Sequence, residues 1–216
     1  MQALYDFDGT ITSRDTTILL LVEFLKLSPF RIFKLIWLLF RMVVAGTNLL
    51  KQEYKNKAIG CLIKDLNDSQ LHQALIAYKR KVELIYRPCV IESVKNDIQN
   101  NLMVIIMTAS PSFAISTCLS DLPILVIGTE FEKIDNRYTG HLKGNNCYGV
   151  EKVNRLYKWA KLNNVQLNVL SACSDHISDF DMVRLSAKRY WIGGDELQKQ
   201  IINIDPEANF VNVKSN

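Results

Sequence analysis

The sequence predicts an α/β fold: a doubly wound parallel sheet, interrupted early by an inserted helical cap. Three observations predict it. Short strand-like runs recur at 2–5, 102–107, 124–127, 166–170 and 189–192, separated by helix-length segments and short loops, as in βαβ units. The run Leu102–Met107 is apolar at every position, the pattern of a parallel strand buried on both faces. Several strands then end in acidic or hydroxyl residues, at the sheet edge where open α/β folds bind ligands.

In chain order, Gln2-Ala3-Leu4-Tyr5 reads as a buried strand running into Asp6-Phe7-Asp8-Gly9-Thr10. Ser13 or Asp15 can cap a helix over Ile18–Leu27, closed by Ser28-Pro29. A second helix is predicted from about Phe30 to Ala45, stopping at Gly46, and more polar helices over about Leu50–Ile63 and Ser69–Ile85. The pattern changes at Tyr86-Arg87-Pro88. A helix over Val90–Gln99 leads to the central strand, which ends at Met107 before Thr108-Ala109-Ser110-Pro111. There follow a helix to about Leu119, a strand Ile124–Ile127, and two short strands between Thr129 and Leu142 around Asp135-Asn136. An amphipathic helix Gly149–Leu162, a strand Gln166–Leu170, a short helix Phe180–Ala187 and a strand Arg189–Ile192 complete the alternation. The tail after Gly194 reads as one helix and an extended end. The expected organisation is a catalytic core of 1–14 and 87–216, with residues 15–86 as a helical cap over the sheet's carboxyl edge.

Composition fits this plan: 216 residues, 48% hydrophobic and 22% charged, suit a soluble globular chain able to bury a core. The net charge of +4 is concentrated, since 15–86 holds eleven Lys and Arg against six Asp and Glu while the remainder is nearly balanced. Such an excess bears on partners rather than on fold. Five scattered cysteines without a Cys-x-x-Cys pair, and three distant histidines, suggest reduced thiols, a cytoplasmic compartment and no zinc site. The chain enters its first strand directly, so no signal peptide is expected. No nucleic-acid partner is expected either.

Asp6 and Asp8 are two apart, so in extended backbone both face one side, and two close anions call for a cation. Taken singly, these five residues read equally as an Asp-rich turn. Lys152 reads equally as a surface residue, Ser110-Pro111 as a helix start, and Asp175 and Asp179 as loop caps. Together, four loops at one sheet edge offer carboxylates, hydroxyls and one ammonium, the set that phosphoryl transfer to a carboxylate requires.

The stretches DFDGT, MTASP, CYGVEKVNRL and SDHISDFDMV, in this order, resemble the four motifs of the haloacid-dehalogenase-like (HAD) phosphatase superfamily, over about Leu4 to Leu185. The helical insertion resembles the cap of its phosphoserine-phosphatase-like branch. DFDGTITSRDT, TASP and Asn-Cys-x-Gly-x-Glu-Lys-Val at 146–153 are most similar to the phosphatidylglycerophosphatase C group. The resemblance implies a Rossmann-like core and a Mg²⁺-dependent hydrolase with an aspartyl-phosphate intermediate. It implies Asp6 as nucleophile and Asp8 as general acid, then base. Thr108, with Ala109 and Ser110, and Lys152 would bind the phosphoryl group. Asp175 would ligate Mg²⁺ with the Asp6 carboxylate and the Asp8 carbonyl, Asp179 supporting the site from behind. Ser178 stands where phosphoserine phosphatases carry Asn, a departure that bears on the fine phosphate contacts.

His176 is expected in a structural or gating role, since Mg²⁺ prefers oxygen ligands. Cys147 and Cys173 are expected as packing residues. Asp15 is expected to line the cleft between cap and core, or to cap its helix. In Phe30–Val44, Arg31, Lys34 and Arg41 share one face and nearly all else is apolar. That stretch suits either a packed cap helix or peripheral contact with an anionic membrane surface. The uncharged run Met42–Leu50 is too short to span a bilayer. Three functions follow: a lipid phosphomonoesterase acting at the inner membrane surface, for example on phosphatidylglycerophosphate; a phosphatase of a soluble metabolite such as phosphoserine; or a non-catalytic phosphate-binding module.

Overall fold

A computed structural model of the protein describes residues 1–44 and 52–211. Its centre is a six-stranded, wholly parallel sheet. The first strand, β1 (Gln2–Tyr5), is buried at all four positions. The strand β2 (Met103–Pro111) lies on one side of it and β6 (Val169–Ser174) on the other. Beyond β2 is β3 (Leu125–Thr129); beyond β6 are β7 (Lys188–Ile192) and β8 (Asn209–Val211), giving the order β3-β2-β1-β6-β7-β8. The chain steps outward from β1 in one direction, then returns and steps outward in the other. The reversal lies between β1 and β6, the crevice in which such sheets bind ligands.

Register places the strand ends together. Tyr5 pairs with Ile106 and with Cys173, so Asp6, the segment after Met107 and the segment after Ser174 emerge at one edge. The strand β2 runs four residues past its predicted end at Met107. Its register with β3 shifts there, and Pro111 pairs with Thr129. Thr108 to Ser110 are therefore held by the sheet rather than left in a free loop. The extended tail likewise becomes a sixth strand.

Helices cover both faces. Those of the insertion are α1 (Thr17–Leu27), α2 (Ile32–Val44) after a tight turn at Pro29–Arg31, α3 (Gln52–Ile63) and α4 (Asp68–Glu83). Asp15, not Ser13, supports the start of α1, its Oδ1 accepting from the Thr17 amide at 2.8 Å. The Ser13 amide instead donates to the Ile85 carbonyl, where the two connections to the insertion run side by side. The predicted helix ends at Ala45–Gly46 and Leu50 lie outside the described residues. The helix α4 opens on a reciprocal cap between Asn67 and Gln70, which satisfies two amides otherwise left unpaired. Its buried face carries Leu71, Leu75, Tyr78 and Val82 against α1 and the core.

The core helices are α5 (Pro88–Gln99), α6 (Ser112–Cys118), α7 (Val150–Leu162), the short α8 (Phe180–Val183) and α9 (Asp195–Ile202). The strands predicted around Asp135-Asn136 form a hairpin of β4 (Phe131–Ile134) and β5 (Arg137–Leu142). Both turn residues have positive φ, which Asp and Asn tolerate. This hairpin packs on the insertion. A Cβ on Gly60 of α3 would lie 2.0 Å from the Gly140 carbonyl oxygen, so only glycine allows the approach. The Tyr138 amide donates to Leu66, and Lys133 pairs with Asp68 at 2.6 Å.

Candidate active site

The first strand delivers Asp6, whose amide donates to the Cys173 carbonyl at 2.9 Å. The chain then makes one wide turn, Phe7–Ile11, broken at Asp8 and Gly9. Gly9 has φ +84, and a Cβ there would fall 2.0 Å from Asp175 Oδ2. Glycine thus admits the carboxylate that closes β6 against the turn that follows β1. The Thr10 hydroxyl donates to Asp175 Oδ1 at 3.0 Å and lies 3.4 Å from Asp6 Oδ2.

Lys152, in the first turn of α7, is buried. It donates to Asp6 Oδ1 at 2.6 Å and to Asp179 Oδ2 at 2.8 Å. Ser174 also donates to Asp179 Oδ2, at 2.7 Å. Asp179 Oδ1 is buried without a hydrogen-bond partner among the described residues. Asp8 is held at both oxygens. Oδ1 accepts from the Thr16 amide at 2.8 Å and the Thr16 hydroxyl at 2.6 Å, while Oδ2 accepts from Ser110 Oγ at 2.6 Å. Thr108 is fully buried, and its Oγ1 accepts from the Ser110 amide at 3.0 Å, leaving its own proton to donate. Asp6, Asp8, Gly9, Thr108, Ser110, Lys152, Asp175 and Asp179 line a cavity of about 590 Å³, walled on the insertion side by Asp15 and Lys55.

Burial, more than any neighbour, pushes the Asp6 pKa well up. Lys152 opposes that, while Asp179 and Asp175 reinforce it. Burial likewise raises Asp8, with Asp15 adding to it, and raises Asp175. Burial disfavours the Lys152 charge, but Asp6 and Asp179 outweigh it and hold its pKa above the usual value. Burial also pushes the Cys147 thiol up to about 11 and raises Cys173 further, so neither is a thiolate near neutrality.

Asp6 and Asp179 thus share one ammonium and Asp175 lies beside Thr10 in the same cavity, so carboxylates outnumber cations there. With the orphaned Asp179 oxygen and an all-oxygen donor set, the residues fit a hard divalent cation such as Mg²⁺. No three His, Cys, Asp or Glu side chains converge on one point among the described residues. A Mg²⁺ site needs only one or two carboxylates, the rest of its shell being water and other oxygens.

The expected residues Asp6, Asp8, Thr108, Ala109, Ser110, Asp15, Lys152, Asp175 and Asp179 all line this cavity. Two details add to the expectation. The Ser110 hydroxyl donates to Asp8, and so steadies that carboxylate. Asp15 both supports the start of α1 and ion-pairs with Lys55, which holds its pKa below the usual range despite partial burial. His176 lines the cavity, but its Nδ1 is engaged by the amide and hydroxyl of Ser178. Sequence reasoning missed Thr10, Thr16, Lys55, Tyr78 and Ser174. Thr10, Thr16 and Ser174 stood within the quoted motif stretches as a signal; Lys55 and Tyr78 are recruited from elsewhere in the chain.

The fold and cavity define a parallel α/β core with paired aspartates and a buried lysine at the carboxyl edge of its sheet. The family model for haloacid dehalogenase-like hydrolases matches residues 3–184, and the chain belongs to that family. No curated protein matches it. Among solved structures, a protein of unknown function from Bordetella pertussis Tohama I superposes with TM-score 0.79 at 18% identity, over 98% of this chain and 97% of that one. A substrate-bound phosphoserine phosphatase superposes with TM-score 0.59 at 16% identity, covering 92% and 89%. A phosphoserine phosphohydrolase-like protein from Francisella tularensis gives 0.59 at 16%, covering 96% and 94%. At these identities the likeness concerns the fold.

Proposed function

We propose that the protein is a Mg²⁺-dependent phosphomonoester hydrolase working through an aspartyl-phosphate. The observation that carries this reading is the Asp6 carboxylate at the end of β1, held by buried Lys152 in a cavity that also presents Asp8. Asp6 attacks phosphorus, and the bond to the leaving oxygen breaks with its electron pair passing to that oxygen. Asp8, its pKa raised by burial, gives that oxygen a proton. The resulting Asp8 carboxylate then takes a proton from the water that attacks the phosphorus of the intermediate, returning Asp6 and releasing phosphate. Lys152 and the Thr108 hydroxyl stabilise charge on the phosphoryl oxygens. Asp6, Asp175 and the Asp8 carbonyl would hold Mg²⁺, Asp179 behind them, and the bound ion would neutralise the phosphate.

Two substrate classes remain in this proposal, each with an observation in its favour. For a lipid phosphate such as phosphatidylglycerophosphate, the motif resemblance is joined by the exposed aromatic residues of α2 and the turn before it. For a soluble metabolite, the structural likeness to phosphoserine phosphatases counts, together with a cavity rich in charged groups. A panel of both classes, in mixed micelles and in buffer, tests this, with Asp6→Asn as control. Mg²⁺-dependent phosphate release that falls more than about a thousandfold in Asp6→Asn is expected. Release surviving that change refutes the mechanism, and the preferred member names the class.

A further inference from the structure

Tyr78 is completely buried in α4, within the helical insertion, yet its hydroxyl is tied to the candidate acid. Tyr78 Oη lies 2.6 Å from Thr16 Oγ1, and Thr16 Oγ1 lies 2.6 Å from Asp8 Oδ1. With Asp8 ionised, the state in which it acts as base, the proton directions in this chain are determined. An ionised carboxylate only accepts, so the Thr16 hydroxyl donates to Asp8, and Tyr78 must donate to Thr16. With the Thr16 amide, Oδ1 thus receives two donors, one of them strengthened by the tyrosine behind it. Among the described residues the other oxygen accepts from Ser110, a hydroxyl that can rotate to accept instead.

We propose that Tyr78 is a positioning residue. Through Thr16 it holds Asp8 Oδ1 as an acceptor, so that Oδ2, beside Ser110, is the oxygen that exchanges a proton with the substrate. This rests on the phosphomonoesterase reading above and deepens it. The phosphate–oxygen bond breaks toward the leaving group, and the proton that the leaving oxygen gains comes from Oδ2. Because Tyr78 belongs to α4, the acid is aligned only while α4 is seated.

The test removes one hydroxyl. In Tyr78→Phe, kcat/KM is measured for phenyl phosphate and p-nitrophenyl phosphate, which are alike in shape. The nitrophenolate leaves without needing a proton, whereas phenol, with a pKa of about 10, needs one. We expect Tyr78→Phe to lower phenyl phosphate turnover about tenfold and the nitrophenyl ester less than about twofold, a fraction of what general acid catalysis supplies. Thr16→Val should show the same discrimination, and serves should Tyr78→Phe fold poorly. Lys79→Ala, which removes an α4 surface ion pair with Asp121, should show none. Equal losses on both esters, no loss on either, or the same discrimination in Lys79→Ala overturns the proposal. A second readout does not depend on activity: the NMR shift of the Thr16 amide, which donates to the same oxygen, should move in Tyr78→Phe. If wild-type protein hydrolyses neither ester, the phosphatase reading fails. An unmoved Thr16 amide overturns the relay itself.

Discussion

Lys152 is a buried cation whose two hydrogen-bond acceptors come from different ends of the chain, Asp6 in the first motif and Asp179 in the last. An ammonium so placed survives desolvation only because both carboxylates face it. Gly9 is the residue that lets the third carboxylate, Asp175, join them. Its positive φ and the missing Cβ are both required, since the Cβ would overlap Asp175 Oδ2. Gly9→Ala is therefore expected to cost about 1–3 kcal/mol in a thermal or urea melt and to abolish Mg²⁺-dependent phosphate release. Retained activity with a normal melt would show that the turn can relax without displacing Asp175. The acidic and glycine positions were legible in the sequence because DFDGT is contiguous. Tyr78 was not, because what brings it to Thr16 is the packing of α4 on α1.

Among the elements, α2 departs furthest from an ordinary packed helix. Phe33, Trp37 and Phe40 of α2 are 68%, 61% and 56% exposed, Phe30 in the preceding turn is exposed too, and Trp37 stacks on Phe40. The sequence offered a packed cap helix or a membrane-contacting one, and the described side chains leave this aromatic face toward solvent. Of the basic face, Arg31 is engaged with the carbonyls of Leu62 and Lys64 at 2.7 Å, and the Arg41 side chain lies outside the described residues. No described helix is long and apolar enough to cross a membrane. On the lipid reading, Phe33→Glu with Trp37→Glu should reduce hydrolysis of a phospholipid phosphate in anionic vesicles by about tenfold or more while sparing a soluble ester. Equal rates on vesicles before and after the change would assign α2 to some other contact. The strand β2 teaches the complementary lesson. Its apolar run was read correctly, but its end was not, because Thr108–Pro111 owe their extended form to the partner strand β3.

Over the whole molecule, charge sets the dependence on pH. Asp6, Asp8 and Asp175 have pKa values raised in the folded state, chiefly by burial. Their contribution to stability is therefore full below the ordinary carboxylate range and is lost as pH rises through the folded values. These three groups should thus cost metal-free protein stability upward from about pH 4, opposed by Asp15, Glu23, Asp68 and Asp121, whose pKa values their lysine partners lower. A bound divalent cation should offset the loss most where the three carboxylates are ionised. Saturating Mg²⁺ is expected to raise Tm by about 5–10 °C near pH 8 and much less near pH 5, read as paired melts with and without chelator. A rise independent of pH would mean that the cation binds elsewhere.

The sequence by itself determined the parallel α/β sheet and brought forward the four segments whose residues line the cavity. Those properties are local: hydrophobic period, contiguous motifs and strand ends are written over a few residues each. Tertiary structure alone decided which hydroxyls serve which carboxylate. It set the Ser110 hydroxyl against Asp8 and folded the β4–β5 hairpin onto the insertion. It also joined Asp8, through Thr16, to Tyr78, which lies sixty-two residues beyond Thr16. A buried polar group must find a partner wherever the fold brings one, and sequence separation places no limit on where that is.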